Sequence, residues 1–312
     1  MYNRYERTGM RPLYKWLIGI FIALVIIGLI IYFWFRSQLS GLEDSSKPLD
    51  EPALMTTANL KDNQSILLLG TDKPSNGNPK DVRTDTIMIA TYNADNNTVK
   101  LLRLPRDIYV DSQGYQGKIN GLYEHDGVEA IVKYINDSFD IPISDYAMVD
   151  FNGLEKVVDQ VGGIDINSQI KIDNSNNDNL GGHIFVNKGH NHLNGKEALG
   201  YARIRYIDND IKRGDRQTEV IKALADKMLK PSAMPKLPSV LAGMDDYVKT
   251  SMNADKIQKN IKDFSGKPKM TNMTFKWESF DKDGSSYVTI PQDEVDRLSQ
   301  DMKKQLNIEN SD

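Results

Sequence analysis

Residues 65–72 read SILLLGTD, and residues 83–107 read RTDTIMIATYNADNNTVKLLRLPRD. Ser65–Gly70 is a short apolar run closed by a glycine, the pattern of a strand buried on both faces. Thr86–Tyr92 and Val99–Leu104 read as two more strands, joined by the turn Asn93–Asn97. The charged residues stand at the ends of these runs. Asp72, Arg106 and Asp107 lie just past a strand, and Arg83 and Asp85 lie just before one. If the first two strands are antiparallel neighbours, all five meet at one edge of a sheet, where rigid strands hold loop side chains in place. The loop between 72 and 83 is rich in Pro, Gly and Asn. It is not a P-loop, because G-x-x-x-x-G-K-[ST] is absent.

Downstream, Lys118-Ile119-Asn120-Gly121 precedes a helix over about Gly127–Phe139, with Val128, Ile131, Ile135 and Phe139 on one face. Tyr146–Phe151 alternates like a strand. Leu154–Val161 reads as a helix that stops at Gly162-Gly163, and Ile164–Ile172 is extended. GGHIFVNKGHNHLNG (181–195) reads as a hairpin. Helices follow near Lys236–Ala242 and Ala254–Phe264, then strands Asn272–Trp277 and Tyr287–Ile290. Gln292–Lys304 is a terminal helix with Val295, Leu298 and Met302 as its apolar stripe. This mixture of strands and helices from 65 to 304 predicts one α/β domain.

A second charged stretch, Ala198–Gln217, reads ALGYARIRYIDNDIKRGDRQ. It follows a short helix, Gly195–Tyr201. Arg203, Arg205, Arg213 and Arg216 fall within fourteen residues, interleaved with Asp208, Asp210 and Asp215 and closed by Gln217. Guanidinium groups match phosphate oxygens two at a time. Arg203 and Arg205 share one face of an extended segment, and Arg213 and Arg216 share one face of the helix continuing through Thr218–Leu229. A helix N-terminus adds free N–H groups for an anion. The alternative is a solvated patch of surface ion pairs. Metal readings elsewhere are weaker. Asp173–Asn179 lacks the glycine and glutamate of a calcium loop and reads as a hydrated loop. His183, His190 and His192 have no acidic partner at helical spacing.

The net charge of −4 argues against a nucleic-acid partner. The absence of cysteine excludes thiolate metal sites, cysteine nucleophiles and disulfides. Trp16–Phe35 is an uncharged run of twenty residues, long enough at ~1.5 Å per residue to cross a hydrocarbon core. Arg4, Arg7, Arg11 and Lys15 precede it, while Glu43, Asp44, Asp50 and Glu51 follow. The positive-inside rule places residues 1–15 in the cytoplasm and the remainder outside. Residues 36–62 read as a polar tether, and 63–312 as the extracellular domain.

In chain order, LLLGTD (67–72), RTDTIMIA (83–90), LLRLPRDIYV (101–110), KING (118–121), VDFNGLEKVVDQVGGIDI (149–166), HLNGKEALGYARIR (192–205) and RGDRQ (213–217) resemble the LytR–CpsA–Psr family of bacterial cell-wall glycopolymer ligases. The resemblance spans residues 65–304 and is looser near Trp277–Tyr287. It implies a three-layer α-β-α domain with a central mixed sheet, preceded by one N-terminal transmembrane helix, and a hydrophobic cavity for a polyprenyl chain. Apolar residues of the helices at 127–139 and 151–161 would form the cavity walls, or else ordinary core. It also implies a phosphotransferase that moves a glycopolymer, such as wall teichoic acid or capsular polysaccharide, from undecaprenyl pyrophosphate to peptidoglycan with magnesium or manganese. On that reading Arg83, Arg106, Arg203 and Arg205 are catalytic. They bind the pyrophosphate together with Lys118, Arg213, Arg216 and Gln217, and Asp72 and Asp85 hold the metal. Asp208, Asp210 and Asp215 are candidate general bases, and Asp107 would hold an arginine in place. Two rivals use the same residues: a polyprenyl-pyrophosphate pyrophosphatase, and a non-enzymatic membrane-anchored regulator or wall-binding protein. The Asp72→Ala variant is expected to lose divalent-cation dependence; an unchanged magnesium titration would remove Asp72 from the metal site.

Overall fold

The computed structural model describes residues 34, 36–37, 40–41, 62–72, 82–112, 114–173, 184–204, 210–228, 230, 232–233, 240, 244, 246–264 and 268–308, with only the backbone described at 72, 210, 211, 261 and 264. The predicted membrane segment and tether fall almost wholly outside this set, as does the predicted helix near Lys236–Ala242. Among the described residues no helix is long and apolar enough to cross a membrane.

Three strands open the domain: β1 (Gln64–Asp72), β2 (Arg83–Asn93) and β3 (Thr98–Leu104). They pair antiparallel in sequence order, as the apolar runs and the Asn93–Asn97 turn lead one to expect. Strand β6 (Asp145–Asp150) adds parallel to the other side of β1 and β11 (Val248–Thr250) antiparallel beyond it, while β12 (Lys269–Met273) adds parallel to β3. The result is a six-stranded mixed sheet in the order β11-β6-β1-β2-β3-β12.

The pleat divides each strand between two cores. Leu67, Leu69, Ile87, Ile89, Leu102 and Leu104 point to one face, against α1 (Ile119–Phe139) and α6 (Gln292–Gln305). Met88, Tyr92, Val99 and Leu101 point to the other, where Ile221 of α4 (Asp210–Met228) packs on them. Helices therefore cover both faces. Ile131, Val132 and Ile135 of α1 are fully buried and belong to the core. Helix α1 begins eight residues before the expected Gly127. Its first turn is the Ile-Asn-Gly of the KING motif, and the break falls at Asp126–Gly127, where Gly127 takes φ +75°.

A smaller core sits beside the sheet. It joins α2 (Phe151–Gln160), α3 (Gly195–Arg203) and α4 to the pair β7 (Ile164–Ser168) and β10 (Gly189–Leu193). The stretch read as a hairpin divides instead between two partners. Strand β10 pairs with β7, and β9 (Phe185–Val186) pairs with β8 (Ile172–Asp173). Two short hairpins carry no expectation from the sequence: β4–β5 (Tyr109–Ser112, Tyr115–Lys118), and β13–β14 (Glu278–Lys282, Ser285–Thr289), of which only the second strand was anticipated. The remaining helix, α5, spans Ala254–Phe264, as expected. Leu102 is completely buried between the sheet and α1. Leu102→Ala is expected to lower stability by about 2–5 kcal/mol, read as a fall in the midpoint of chemical denaturation.

Candidate active site

The pairing brings one edge of the sheet into use. The carboxyl ends of β1, β3, β6 and β12 lie there, with the amino ends of β2 and β11. Asp72 stands opposite Arg83 in register; the backbone of Asp72 is described, its side chain is not. The ladder slips next to this pair. Gly70 faces Thr86 and Thr71 faces Thr84, so Asp85 has no partner on β1. A bulge of this kind re-aims a side chain. The Asp85 carboxylate accepts a 2.7 Å hydrogen bond from Arg106 Nη1. Arg106 Nε lies 3.8 Å from Asp107, and Lys118 Nζ donates to Asp107 Oδ1 at 2.7 Å. Carboxylates and cations thus alternate in space as Asp85, Arg106, Asp107, Lys118. The backbone holds this row together: Asn120 N donates to Arg106 O at 3.2 Å, and Ile119 N to Ile108 O at 2.8 Å. Half-buried pairs like these add modest stability. Their larger effect is to fix where the positive charge stands. Arg83 is more exposed, its Nε 3.8 Å from Glu124.

The second arginine set arrives on α3 and α4. Helix α3 starts with a capping box: Glu197 N donates to Asn194 Oδ1 at 2.9 Å and Asn194 N to Glu197 Oε2 at 3.0 Å. It runs through Arg203, so Arg203 closes a helix rather than lying in the extended segment expected from its alternation with Arg205. The Arg203 guanidinium stacks over the Phe151 ring, 4.7 Å from its centre. Phe151 follows β6 directly, and the end of β6 pairs with Thr71. Arg203 therefore belongs to the same sheet edge as Asp72. Arg205 and Asp208 lie outside the described residues, and Asp210 is described by its backbone alone.

Arg213 and Arg216 share the first turns of α4, and both are buried, at 2% and 4% exposure. Arg216 spends two donors on backbone carbonyls, Nε to Tyr201 O at 3.1 Å and Nη2 to Ile204 O at 2.6 Å. These are carbonyls at the C-terminal end of α3, where a positive charge is favoured. In this geometry Arg216 holds the segment leading to Arg205 as well as adding charge. Tyr201 donates to Glu219 Oε2 at 2.6 Å. Burial, and then the Glu219 carboxylate, push its phenol pKa well up, so it stays a neutral donor. Gln217 is buried in the same helix, and its Oε1 meets no donor among the described residues.

A cavity of about 440 Å³ opens between β3, β12, the β13–β14 hairpin and the first turn of α4. Arg106, Asp107, Lys118, Arg213 and Asp215 line it. Of the three candidate bases, Asp215 is the one whose side chain is described, and it faces this space with Lys212 3.6 Å away. Arg103 lines it too, a residue the strand reading passed over. It sits on β3 between the buried Leu102 and Leu104, and so must point to the opposite face. A charge inside an apolar strand was the available signal. Its guanidinium lies directly on Gly214 of α4: a Cβ added there would stand 1.7 Å from Arg103 Cζ. A glycine costs a helix interior about 1 kcal/mol relative to alanine; here its missing side chain is the room Arg103 occupies.

The other metal candidates resolve differently. His192 Nδ1 lies 2.8 Å from Asp165 Oδ1 and Nε2 lies 3.0 Å from Gly162 O, a clasp across β7 and β10. His183 and most of 173–179 lie outside the described residues. Among the described residues no group of three or more His, Cys, Asp or Glu could hold a metal.

An α/β sheet with a cluster of arginines and aspartates along one edge defines an anion-binding protein, and comparison with known proteins gives its family. The LytR_cpsA_psr family model matches residues 31–304, and the chain belongs to that family. It is 31% identical over 295 residues to the polyisoprenyl-teichoic acid–peptidoglycan teichoic acid transferase TagU of Enterococcus faecalis, covering 92% of this chain and 94% of that one. It is 38% identical over 192 residues to the regulatory protein MsrR of Staphylococcus aureus, covering 60% of this chain and 56% of that one. Among solved structures, TagT bound to LIIa-WTA superimposes with a TM-score of 0.69 at 26% identity, covering 80% of this chain and 92% of that one.

The Gly214→Ala variant is expected to keep or gain thermal stability while displacing Arg103. Its activity should fall about ten- to hundredfold, toward that of Arg103→Ala, the scale of one lost charged hydrogen bond. A melting curve and a rate on the two variants check this.

Proposed function

We propose that the chain is a phosphotransferase that moves a glycopolymer from a polyprenyl-pyrophosphate donor to a hydroxyl of peptidoglycan. The observation that carries this reading is the row Asp85–Arg106–Asp107–Lys118 at the sheet edge, with Arg203 beside it and Arg213 across the cavity. The relatives that bear transferase names, and the TagT structure bound to LIIa-WTA, support the substrate class.

Phosphoryl transfer asks the protein for position and for charge neutralisation. In this reading the acceptor oxygen attacks the phosphorus that carries the polymer. The bond from that phosphorus to the bridging oxygen breaks, and the polyprenyl chain leaves as its monophosphate. Arg83, Arg106, Arg203, Arg205 and Arg213 neutralise the pyrophosphate, with Lys118 and Gln217 as further donors. Their charge counts most where it builds up on the leaving phosphate. The acceptor proton passes to a carboxylate, and Asp215 has the placement for it, since it lines the same cavity. Asp85 and Asp107 hold Arg106 and Lys118 at fixed distances, so little reorganisation is needed during transfer.

Asp72 and Asp85 stand at adjacent strand ends, and two carboxylates are a donor set that fits magnesium, which is satisfied by one or two carboxylates plus phosphate oxygens and water. When bound, the ion would stabilise charge on the pyrophosphate oxygens. Membrane attachment rests on the sequence: Trp16–Phe35 with its basic flank anchors the chain and keeps the domain near a lipid-linked substrate. A regulatory role, in keeping with the name of the MsrR relative, would not need the two aspartates at the strand ends.

A transfer assay with lipid-linked donor and peptidoglycan oligomers decides among these readings. Transfer is expected for the wild type and is expected to be abolished in Arg203→Ala and Arg205→Ala with the fold intact by circular dichroism. Release of polymer phosphate that is indifferent to peptidoglycan would make the protein a pyrophosphatase. A normal rate in either variant would end the arginine-clamp account.

A further inference from the structure

We propose that the cavity is a sugar subsite, and that the Trp277 indole is the platform on which the pyranose ring of the donor's first sugar lies. This rests on the transferase reading and names the part of the donor that this cavity selects.

Trp277 follows β12 and is 36% exposed. Single exposed aromatics are common on protein surfaces and need no function. Phe185 is one such residue: it is 43% exposed and lies under the Lys171 ammonium, and it does not line the cavity. Trp277 differs because it shares a cavity with Arg106 and Lys118. The neighbouring hairpin is stiff. Phe280 stacks on Tyr287 with ring centres 5.7 Å apart, and Tyr109 meets both rings edge-on. Lys118 Nζ stands 5.7 Å over Tyr287 on its way to Asp107, so the aromatic group and the cationic row are joined through one side chain.

The remaining lining mixes neutral hydrogen-bonding groups, Asn272, Thr274, Ser279 and Ser286, with apolar side chains such as Met88, Leu101, Met273 and Phe275. One cavity therefore offers cations with their paired carboxylates, amide and hydroxyl groups, aromatic rings and aliphatic side chains. A sugar phosphate has the matching profile, with an anionic group, a rim of hydroxyls and an apolar ring face. A polyprenyl chain would cover the apolar side chains, yet it would strip water from the charged and polar groups and return no hydrogen bonds. The volume, about 440 Å³, falls within the ~300–1,000 Å³ of small-molecule sites. A sugar could also come from the acceptor glycan. Continuity with Arg106 and Lys118 favours the donor, whose first sugar is bonded to the phosphate those residues would hold.

The test uses the full chain in detergent micelles, carrying Trp16→Phe and Trp34→Phe, so that Trp277 is the one tryptophan left of three. N-acetylglucosamine 1-phosphate should shift and quench its emission saturably. Inorganic pyrophosphate should leave the emission unchanged and weaken the sugar phosphate's effect by competition. The phosphate-free peptidoglycan disaccharide should do neither. A shift with the disaccharide but not the sugar phosphate overturns the donor assignment, and no shift with either sugar overturns the subsite. In transfer assays Trp277→Ala should raise the donor KM about tenfold with kcat little changed, and Trp277→Tyr should recover most of it. An unchanged KM in Trp277→Ala also overturns the proposal. The emission measurement needs no turnover, so a wild type that binds the sugar phosphate but transfers nothing counts against the transferase reading alone.

Discussion

Strand β1 is paired on both sides, parallel to β6 and antiparallel to β2, and its Leu67 and Leu69 are buried beneath α1. The charges carried by the strand ends are placed by how that strand ends. Its pairing with β2 slips at Gly70–Thr71, and the residue left over is Asp85. Without the slip, a regular ladder would send residues alternately to the two faces. With it, a carboxylate at the start of β2 reaches Arg106 at the end of β3. The position of Arg106 is then shared with Asp107 and Lys118, and the KING segment is tied to the same turn by backbone hydrogen bonds.

The two arginine sets reach this edge by different physical routes. The first is carried by strand ends and inherits the rigidity of the sheet. The second is carried by helices whose own core is separate from the large one. Arg216 links the two halves of that second set, because its guanidinium binds carbonyls of the helix that ends in Arg203. A charge read in the sequence as one of four equivalent phosphate ligands thus also has a framework role.

Much of this was legible in advance where a residue pattern has a single structural answer. Apolar runs of six or seven residues bounded by charge became β1, β2 and β3, and Asp85, Arg106 and Asp107 of their ends do meet. The apolar stripe of α6 and the span of α5 also followed from periodicity. What escaped depended on contacts distant in sequence. The partner of β10 is β7, more than twenty residues earlier, and no local signal distinguishes that from a hairpin with β9. The bulge at Asp85 is a property of two strands together. Arg103 was readable as a charge on the far face of an apolar strand, yet its meaning depended on Gly214, more than a hundred residues away. The β13–β14 hairpin was missed for a local reason. Its Asp283-Gly284 turn, with both φ angles positive, is a known hairpin signal that went unused.

The central sheet is open, and its two outer strands have a bearing on how copies of the protein meet. An uncovered strand edge is a template on which another chain can add by backbone hydrogen bonds. Here one end of the sheet is β11, three residues long with Lys249 at its centre, and the other is β12, five residues long with Lys269 at its start. Short, positively charged edges make poor templates. Where copies of the protein meet at high local density, these two lysine-bearing strands would keep the encounters from becoming edge-to-edge aggregation.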